Sequence, residues 1–215
     1  MRKFVFIALL AFGTAHAGPS VSRRLVEALP QDVFAQTAPL EAQIEQIETA
    51  IATKESRLDR ERGNERALKL EVKAAKAQVK ADKAARKAAR KRDDSQAVSA
   101  AGDAIQASES ELALLERRYA ISGELVDLLD AQIDQLETQR DLKEAELQVV
   151  YALAVDAHIE PTDDAKYRQA RAKAELKFQK ARADVSQAEA AFARAGGEEV
   201  PDAMILVEMD PVPAQ

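Results

Sequence analysis

The chain has 215 residues and a net charge of −6, with no cysteine, no tryptophan and only 4% aromatic residues. The lack of cysteine excludes disulfides, a thiolate nucleophile and cysteine-based metal sites. Alanine, leucine, glutamate, lysine and arginine dominate, which is typical of long helices and coiled coils and argues against a conventional globule.

The first seventeen residues predict a secretory signal peptide. Arg2 and Lys3 form a basic start, the stretch from Phe4 to Phe12 is apolar, and Ala15-His16-Ala17 supplies small residues for cleavage. A lasting membrane-spanning helix needs about 20 apolar residues, so a retained anchor is the weaker alternative. We therefore expect an exported chain, in the bacterial periplasm or outside the cell.

Residues 18–38 predict a short helix around Val21 to Leu29 and then a linker bounded by Pro30 and Pro39. Two turns divide residues 39–195, one at Asp93-Asp94-Ser95 and one at Pro161-Thr162-Asp163-Asp164, and each supplies a helix N-cap. We predict helices at about 40–92, 96–159 and 165–195, the last ended by Gly196-Gly197.

Residues 196–215 are expected to form a flexible acidic tail. The tail contains one apolar tetrad, Met204 to Val207. This tetrad could add as a strand to the sheet edge of a partner, pack against the helices or remain disordered.

The two longest predicted helices carry apolar side chains at seven-residue intervals. With heptad letters a to g, the a positions include Ile44, Ile51 and Leu58 in the first helix and Ile105, Val126 and Ile133 in the second. A period of 3.5 residues per turn keeps one seam facing its partner, which predicts a left-handed coiled coil. Because the connecting turn is short, we expect an antiparallel hairpin about 80 Å long.

A second apolar stripe on the second helix predicts a third packing partner. The stripe comprises Leu114, Ile121, Leu128, Leu142 and Val149. The third helix repeats Phe178, Val185 and Phe192 every seven residues, so we expect it to cover this stripe at the base of the hairpin. The predicted fold class is all-α: a long antiparallel coiled-coil hairpin with a third helix packed on its base, an elongated three-helix bundle.

The third helix is expected to stop short of Leu114 and Ile121. These two residues are therefore predicted as a patch for the N-terminal segment or for self-association with a second copy.

Basic residues concentrate at the far end of the first long helix. Residues 66–92 contain eleven Lys or Arg and two acidic side chains, a net charge of +9. One interpretation is a solvated helix face, and the other is a contact surface for an acidic partner or anionic lipid headgroups. We expect no nucleic acid, because the chain is acidic and lacks aromatic residues among the basic ones. The candidate surface comprises Lys69, Lys73, Lys76, Lys80, Lys83, Arg86, Lys87 and Arg90.

Two glycines predict a hinge between the base and the projecting end. Gly63 and Gly123 should lie at one level of the hairpin, and glycine weakens a helix interior by about 1 kcal/mol relative to alanine. Coincidence is the alternative.

Few residues suggest chemistry at a single site. His158 lies near acidic residues at the second turn, but acids at helix ends commonly serve as caps. One histidine after position 17 and no cysteine leave few routes to nucleophilic or general-base catalysis. We predict no enzyme, no catalytic or metal-binding residue, no cofactor and no small-molecule substrate.

The middle of the second long helix carries a second pattern besides its heptads. The pattern comprises Arg118-Tyr119, Gly123, Asp127-Leu128-Leu129, Ala131-Gln132, Ala145 and Ala152. In these residues, the helix from 118 to 157 resembles the periplasmic helical hairpins of TolC-type outer-membrane efflux proteins. The basic hairpin is similar to the arms of Skp-type periplasmic chaperones. The chain lacks repeated hairpins and barrel strands, so the resemblance implies a periplasmic helical hairpin and not a channel.

Three functions fit these features. The first is a structural spacer, scaffold or adaptor in the cell envelope, which binds a protein partner or itself. The second is a holdase-like periplasmic chaperone. The third is a peripheral envelope or membrane-binding module that uses the basic hairpin arm.

Overall fold

The computed structural model describes residues 18–197. The predicted signal peptide, residues 1–17, and the tetrad Met204 to Val207 lie outside the described residues. The described part consists of four helices with no strand: α1 Arg23–Glu27, α2 Gln31–Lys91, α3 Ser95–His158 and α4 Ala165–Ala195. The long helices α2 and α3 pack against each other, and α4 packs on α3, which confirms the predicted all-α arrangement.

The reversal between α2 and α3 uses the residues that the sequence predicts. Asp93 has a positive φ of 56°, which turns the chain back. Asp94 is the N-cap of α3, and its carboxylate accepts a hydrogen bond of 2.9 Å from the backbone N–H of Ala97. At the end of α4, Gly196 adopts a φ of 90°, the left-handed conformation that glycine accepts without strain.

The predicted linker between Pro30 and Pro39 is wrong from Gln31 onward. Pro30 is the N-cap of α2, and the helix continues through Pro39 without interruption. Pro39 and Ala35 are both exposed, so water can reach the Ala35 carbonyl that loses its helical donor. The heptad also continues backwards to the buried Val33, and this packing outweighs the helix-breaking tendency of the proline.

The seam between α2 and α3 has its apolar core at the predicted a and d positions. Leu129 is the most buried member of the central cluster, at 2% exposure. The cluster comprises Ile47, Ala50, Ile51, Leu58, Val126, Leu129, Ile133 and Leu136. Seven of these eight residues occupy a or d positions, and Ala50 lies beside them, so the heptad pattern correctly identifies the buried face.

Polar pairs beside the seam establish the register of α2 against α3. Four of them join an e position of α2 to an e position of α3, and successive pairs lie multiples of seven residues apart on both helices. The pairs are Glu41–Tyr151, Arg62–Asp130, Lys76–Glu116 and Lys83–Glu109. The two helices therefore remain in one antiparallel register along the whole hairpin.

The helix α4 covers the second stripe of α3 farther than the sequence predicts. Val185 and Phe192 form a buried cluster with Leu128, and Ile121 packs against it. The prediction that the third helix stops short of Ile121 is therefore wrong. The last turn of α4 reaches the level of Arg117, whose guanidinium lies 2.9 Å from the position of a Cβ added at Gly196.

The N-terminal segment packs at the opposite end of the hairpin from Leu114. Val21 and Leu29 join a buried cluster with Tyr151, Val155 and Tyr167, where α3 turns into α4. The backbone N–H of Val21 also donates a hydrogen bond of 2.7 Å to the Gln148 side chain. The N-terminal segment therefore cannot cover the predicted patch at Leu114.

None of the helices within residues 18–197 combines the length and apolarity needed to cross a bilayer.

Candidate interaction surface

The far end of the hairpin, residues 66–123, consists mainly of two helices and is called the distal arm. α4 reaches only its α3 side near Arg117 and Ile121. Beyond that level, α2 and α3 contact only each other among the described residues. Side chains on the outer faces of the arm therefore remain open to a partner.

Eight basic residues form one continuous line along the distal arm and are called the basic stripe. They alternate between b and e positions of α2, at spacings of three and four residues, and all are exposed. At a rise of 1.5 Å per residue, the stripe extends over about 36 Å. It comprises Arg66, Lys69, Lys73, Lys76, Lys80, Lys83, Lys87 and Arg90.

The structure changes the predicted surface at two residues. Arg86 occupies an a position and is half-buried in the seam, where its Nε is buried without a hydrogen-bond partner. Arg86 therefore does not belong to the outer surface. Arg66 belongs to the stripe although the prediction omitted it, and the three-and-four spacing is the signal that identifies it.

Two members of the stripe also tie it to α3. Lys76 lies 2.9 Å from the carboxylate of Glu116, and Lys83 lies 2.8 Å from that of Glu109. Both pairs are about half exposed, so each contributes at most about 1 kcal/mol. The other six stripe residues form no ion pair within residues 18–197, which leaves most of the positive charge available.

Glycine interrupts the line of acidic partners on α3. By the register of the seam, Lys69 lies at the level of Gly123 and Arg90 at the level of Gly102. An acidic side chain at these e positions would pair with the stripe as Glu109 and Glu116 do. The glycines thus keep two further stripe residues free of an intramolecular partner.

The predicted hinge glycines lie inside uninterrupted helices. Neither Gly63 nor Gly123 has a positive φ, and a Cβ added at either position would meet no atom within 4 Å. No packing constraint at these two sites requires glycine, and the hinge stays a prediction.

The predicted self-association patch retains one of its two residues. Leu114 is 51% exposed, whereas Ile121 packs against the α3–α4 cluster. A single leucine offers little apolar area, so this patch cannot support a stable interface by itself.

A groove of about 450 Å³ lies at the base between Gly18-Pro19, α3 and α4. Arg140 lines it, with its guanidinium 3.2 Å from Asp141 and 3.8 Å from Glu144. Much of the charge in the groove is therefore balanced within the fold, and we interpret the groove as a packing junction.

Tyr151 is a buried titratable group at the base whose pKa departs from its ordinary value. Burial, and then the hydrogen bond of 2.7 Å that its hydroxyl donates to Glu41, raise the pKa of Tyr151 to about 12, while Thr37 lowers it. The neutral phenol thereby acts as a structural donor between α3 and α2 and is a poor candidate for a base at neutral pH. His158 is exposed at the end of α3, and residues 18–197 contain no cluster of acids and histidines that could hold a metal ion.

Comparisons with models of protein families, with curated proteins and with solved structures found no match to this chain. The resemblance of residues 118–157 to efflux-protein hairpins therefore stays a prediction. The features that bear on function are the length of the rod and the distribution of its charges.

Proposed function

We propose that this chain is an exported, non-catalytic coiled-coil protein that acts as a spacer, scaffold or adaptor in the bacterial cell envelope. The observation that carries the proposal is the distal arm, which holds the exposed basic stripe, most of it beyond the end of α4. With 64 residues in α3, the rod is about 95 Å long. A rod of that length can hold two bound partners well apart.

The non-catalytic role is supported by the way the polar groups are used. The raised pKa of Tyr151 has a structural cause in its burial and its hydrogen bond to Glu41. The ion pairs of the hairpin lie along exposed helix edges and fix the register of α2 against α3. Binding through an extended surface needs no enclosed site, which agrees with a function by contact.

Site-specific photo-crosslinking in cells tests the proposal. A crosslinking amino acid at Lys73 or Lys80 should capture a defined envelope component. The same amino acid at Leu176, which is 72% exposed on α4, is the matched control. Equal patterns at all three sites, or a chain recovered from the cytoplasm with residues 1–17 still attached, would contradict the proposal.

The basic stripe also favours a second candidate function, peripheral binding to anionic lipid. Each Lys or Arg close to such a surface contributes about 1 kcal/mol, so six unpaired residues would suffice for binding at low salt. Flotation with vesicles that contain phosphatidylglycerol, at low and high salt, tests this candidate. A chain that fails to float at low salt excludes it.

A further inference from the structure

The side of the hairpin that carries the basic stripe changes sign along its length. This e side is formed by the b and e positions of α2 and α3. Between residues 41 and 59 of α2 and between residues 127 and 144 of α3, eleven of the twelve b and e positions are Asp or Glu, and the twelfth is Ala52. These acidic rows comprise Glu41, Glu45, Glu48, Glu55, Asp59, Asp127, Asp130, Asp134, Glu137, Asp141 and Glu144.

Most of the acidic rows can reach a partner. Glu41, Glu45, Glu55, Asp59, Asp127, Asp134 and Glu137 are exposed. At the basal end, Asp141 and Glu144 line the groove shared with α4 and do not contribute to an open surface. The available acidic rows therefore face outward on the same side as the basic stripe.

The sign changes near the middle of the rod. On α2, Asp59 is the last acidic residue of the rows and Arg66 is the first of the basic stripe, with Gly63 between them. Because α2 runs from Gln31 to Lys91, Gly63 also lies close to its midpoint. The acidic rows and the basic stripe thus occupy opposite halves of one side.

We propose that a second copy of this chain docks antiparallel on the e side, so that the basic stripe of each copy lies against the acidic rows of the other. A two-fold axis near Gly63 exchanges the two halves, and this satisfies the requirement that a symmetric interface be complementary to itself. The three-and-four spacing is the same in the stripe and the rows, so opposite charges can meet along the whole overlap.

A second copy fits this side better than the other occupants. An anionic membrane that contacts the whole side attracts the basic stripe but repels the acidic rows. A uniformly acidic protein likewise matches only one half. The inference rests on the proposed function in that the arm acts by contact, and it names the partner of that contact.

The dimer should be sensitive to salt. Exposed charge pairs contribute about 0.2–1 kcal/mol each and are screened at an ionic strength above about 0.15 M. We expect the chain, as the cell processes it, to sediment as a dimer at low salt and as a monomer at high salt.

Charge-swapped variants provide the decisive experiment. The first variant is Lys73→Glu, Lys80→Glu and Lys87→Glu, and the second is Asp127→Lys, Asp134→Lys and Glu137→Lys. All six positions are exposed, and none forms an ion pair within residues 18–197. Each variant alone should dimerise at least about tenfold more weakly than the parent chain, because like charges then meet. An equimolar mixture should regain the dimer, because both halves of the interface are complementary again.

A matched control changes the same amount of charge on the other side of the arm. Lys91→Glu, Arg92→Glu and Arg118→Glu alter exposed f and g positions, away from the e side. This variant should keep the dimer dissociation constant within about threefold of that of the parent chain. Circular dichroism of all variants confirms that the helices form.

Two results would overturn the inference. The first is a mixture of the swapped variants that sediments as monomers at low salt. The second is a parent chain that stays monomeric at low salt while it floats with anionic vesicles, which would make lipid the partner of the stripe. If a chain that is monomeric at low salt crosslinks from Lys73 to another envelope protein, the proposed dimer is wrong and the proposed function still holds.

Discussion

Among single residues, Tyr151 links the stability of the base to pH. Its pKa of about 12 in the folded chain lies above the ordinary value of 10.0. Between these pH values the unfolded chain loses the phenolic proton and the folded chain keeps it, so stability falls as the pH rises. The whole effect is at most about 2–3 kcal/mol and is complete only above the folded pKa.

Tyr151→Phe should remove this part of the alkaline loss of stability. At neutral pH the variant loses the hydrogen bond to Glu41, which costs about 1 kcal/mol. Urea unfolding of both chains from pH 8 to pH 11.5 measures the difference, since all other titrating groups are shared. Parallel stability curves across this range would show that the phenol is not protected by the fold.

Replacing the helical glycines should raise the stability of the hairpin, in contrast to Tyr151→Phe. Gly63→Ala and Gly123→Ala should each stabilise the hairpin by about 1 kcal/mol, because alanine favours helix and the added Cβ meets open space. The control is Gly196→Ala, which should destabilise the chain by about 1–2 kcal/mol because of its left-handed backbone. Thermal melting followed by circular dichroism measures all three, and a lower melting temperature for both helical variants would reveal a backbone requirement at those sites.

The candidate surface could be predicted at most of its residues, and the exceptions have physical causes. Seven of the eight predicted basic residues lie on the stripe, because helical spacing alone places them there. Arg86 is basic like the others but occupies an a position, and this position places its side chain in the seam instead of on the outer surface. The sequence places Ile121 in an open patch because the extent of α4 along α3 depends on packing between distant segments, which spacing along one helix does not encode.

Among the helices, α2 shows how packing overrides a local break. Pro39→Ala should restore the hydrogen bond to the Ala35 carbonyl and remove the strain of the ring within the helix. We expect it to raise the free energy of unfolding by about 1–3 kcal/mol. Urea denaturation measures this change, and an unchanged midpoint would indicate that residues 31–39 contribute no helix to the folded state.

The same substitution, leucine to alanine, can be compared at a buried position of the seam between α2 and α3 and at an exposed position of α4. Leu129→Ala removes a side chain that is 2% exposed and should destabilise the hairpin by about 2–5 kcal/mol. Leu176→Ala changes a side chain on α4 that is 72% exposed and should shift stability by less than about 0.5 kcal/mol. Urea midpoints measure both, and equal losses would mean that the seam is not the core of the fold.

Helix type and pairing were predictable because the heptads record them directly. The apolar period indicates which face is buried, and the short turn at Asp93-Asp94 requires α2 and α3 to be antiparallel. The sequence predicts a linker in place of the first turns of α2 because the two prolines are local helix breakers, whereas the burial of Val33, which continues the same repeat, appears only in the structure. The residue at which a helix begins thus depends on both the local helix preference of the sequence and the packing of the helix against the rest of the fold.

For the whole molecule, the register of α2 against α3 organises the charges. The sequence by itself indicates a basic far end and an acidic base. Once the e positions of both helices are known to meet, the basic stripe and the acidic rows fall on one side and in opposite halves. This arrangement makes the rod complementary to itself, which composition cannot reveal.

The length of the dimer distinguishes this arrangement from other modes of association. A two-fold axis near Gly63 lies close to the middle of the rod, so two copies should overlap along almost their whole length. Small-angle X-ray scattering at low salt should therefore give twice the monomer mass with a maximum dimension still near about 100 Å. Association through the tips of the arms, or through Leu114, would overlap only the ends and lengthen the particle. A dimer longer than about 150 Å would thus place the contact at one end of the rod and not along the e side.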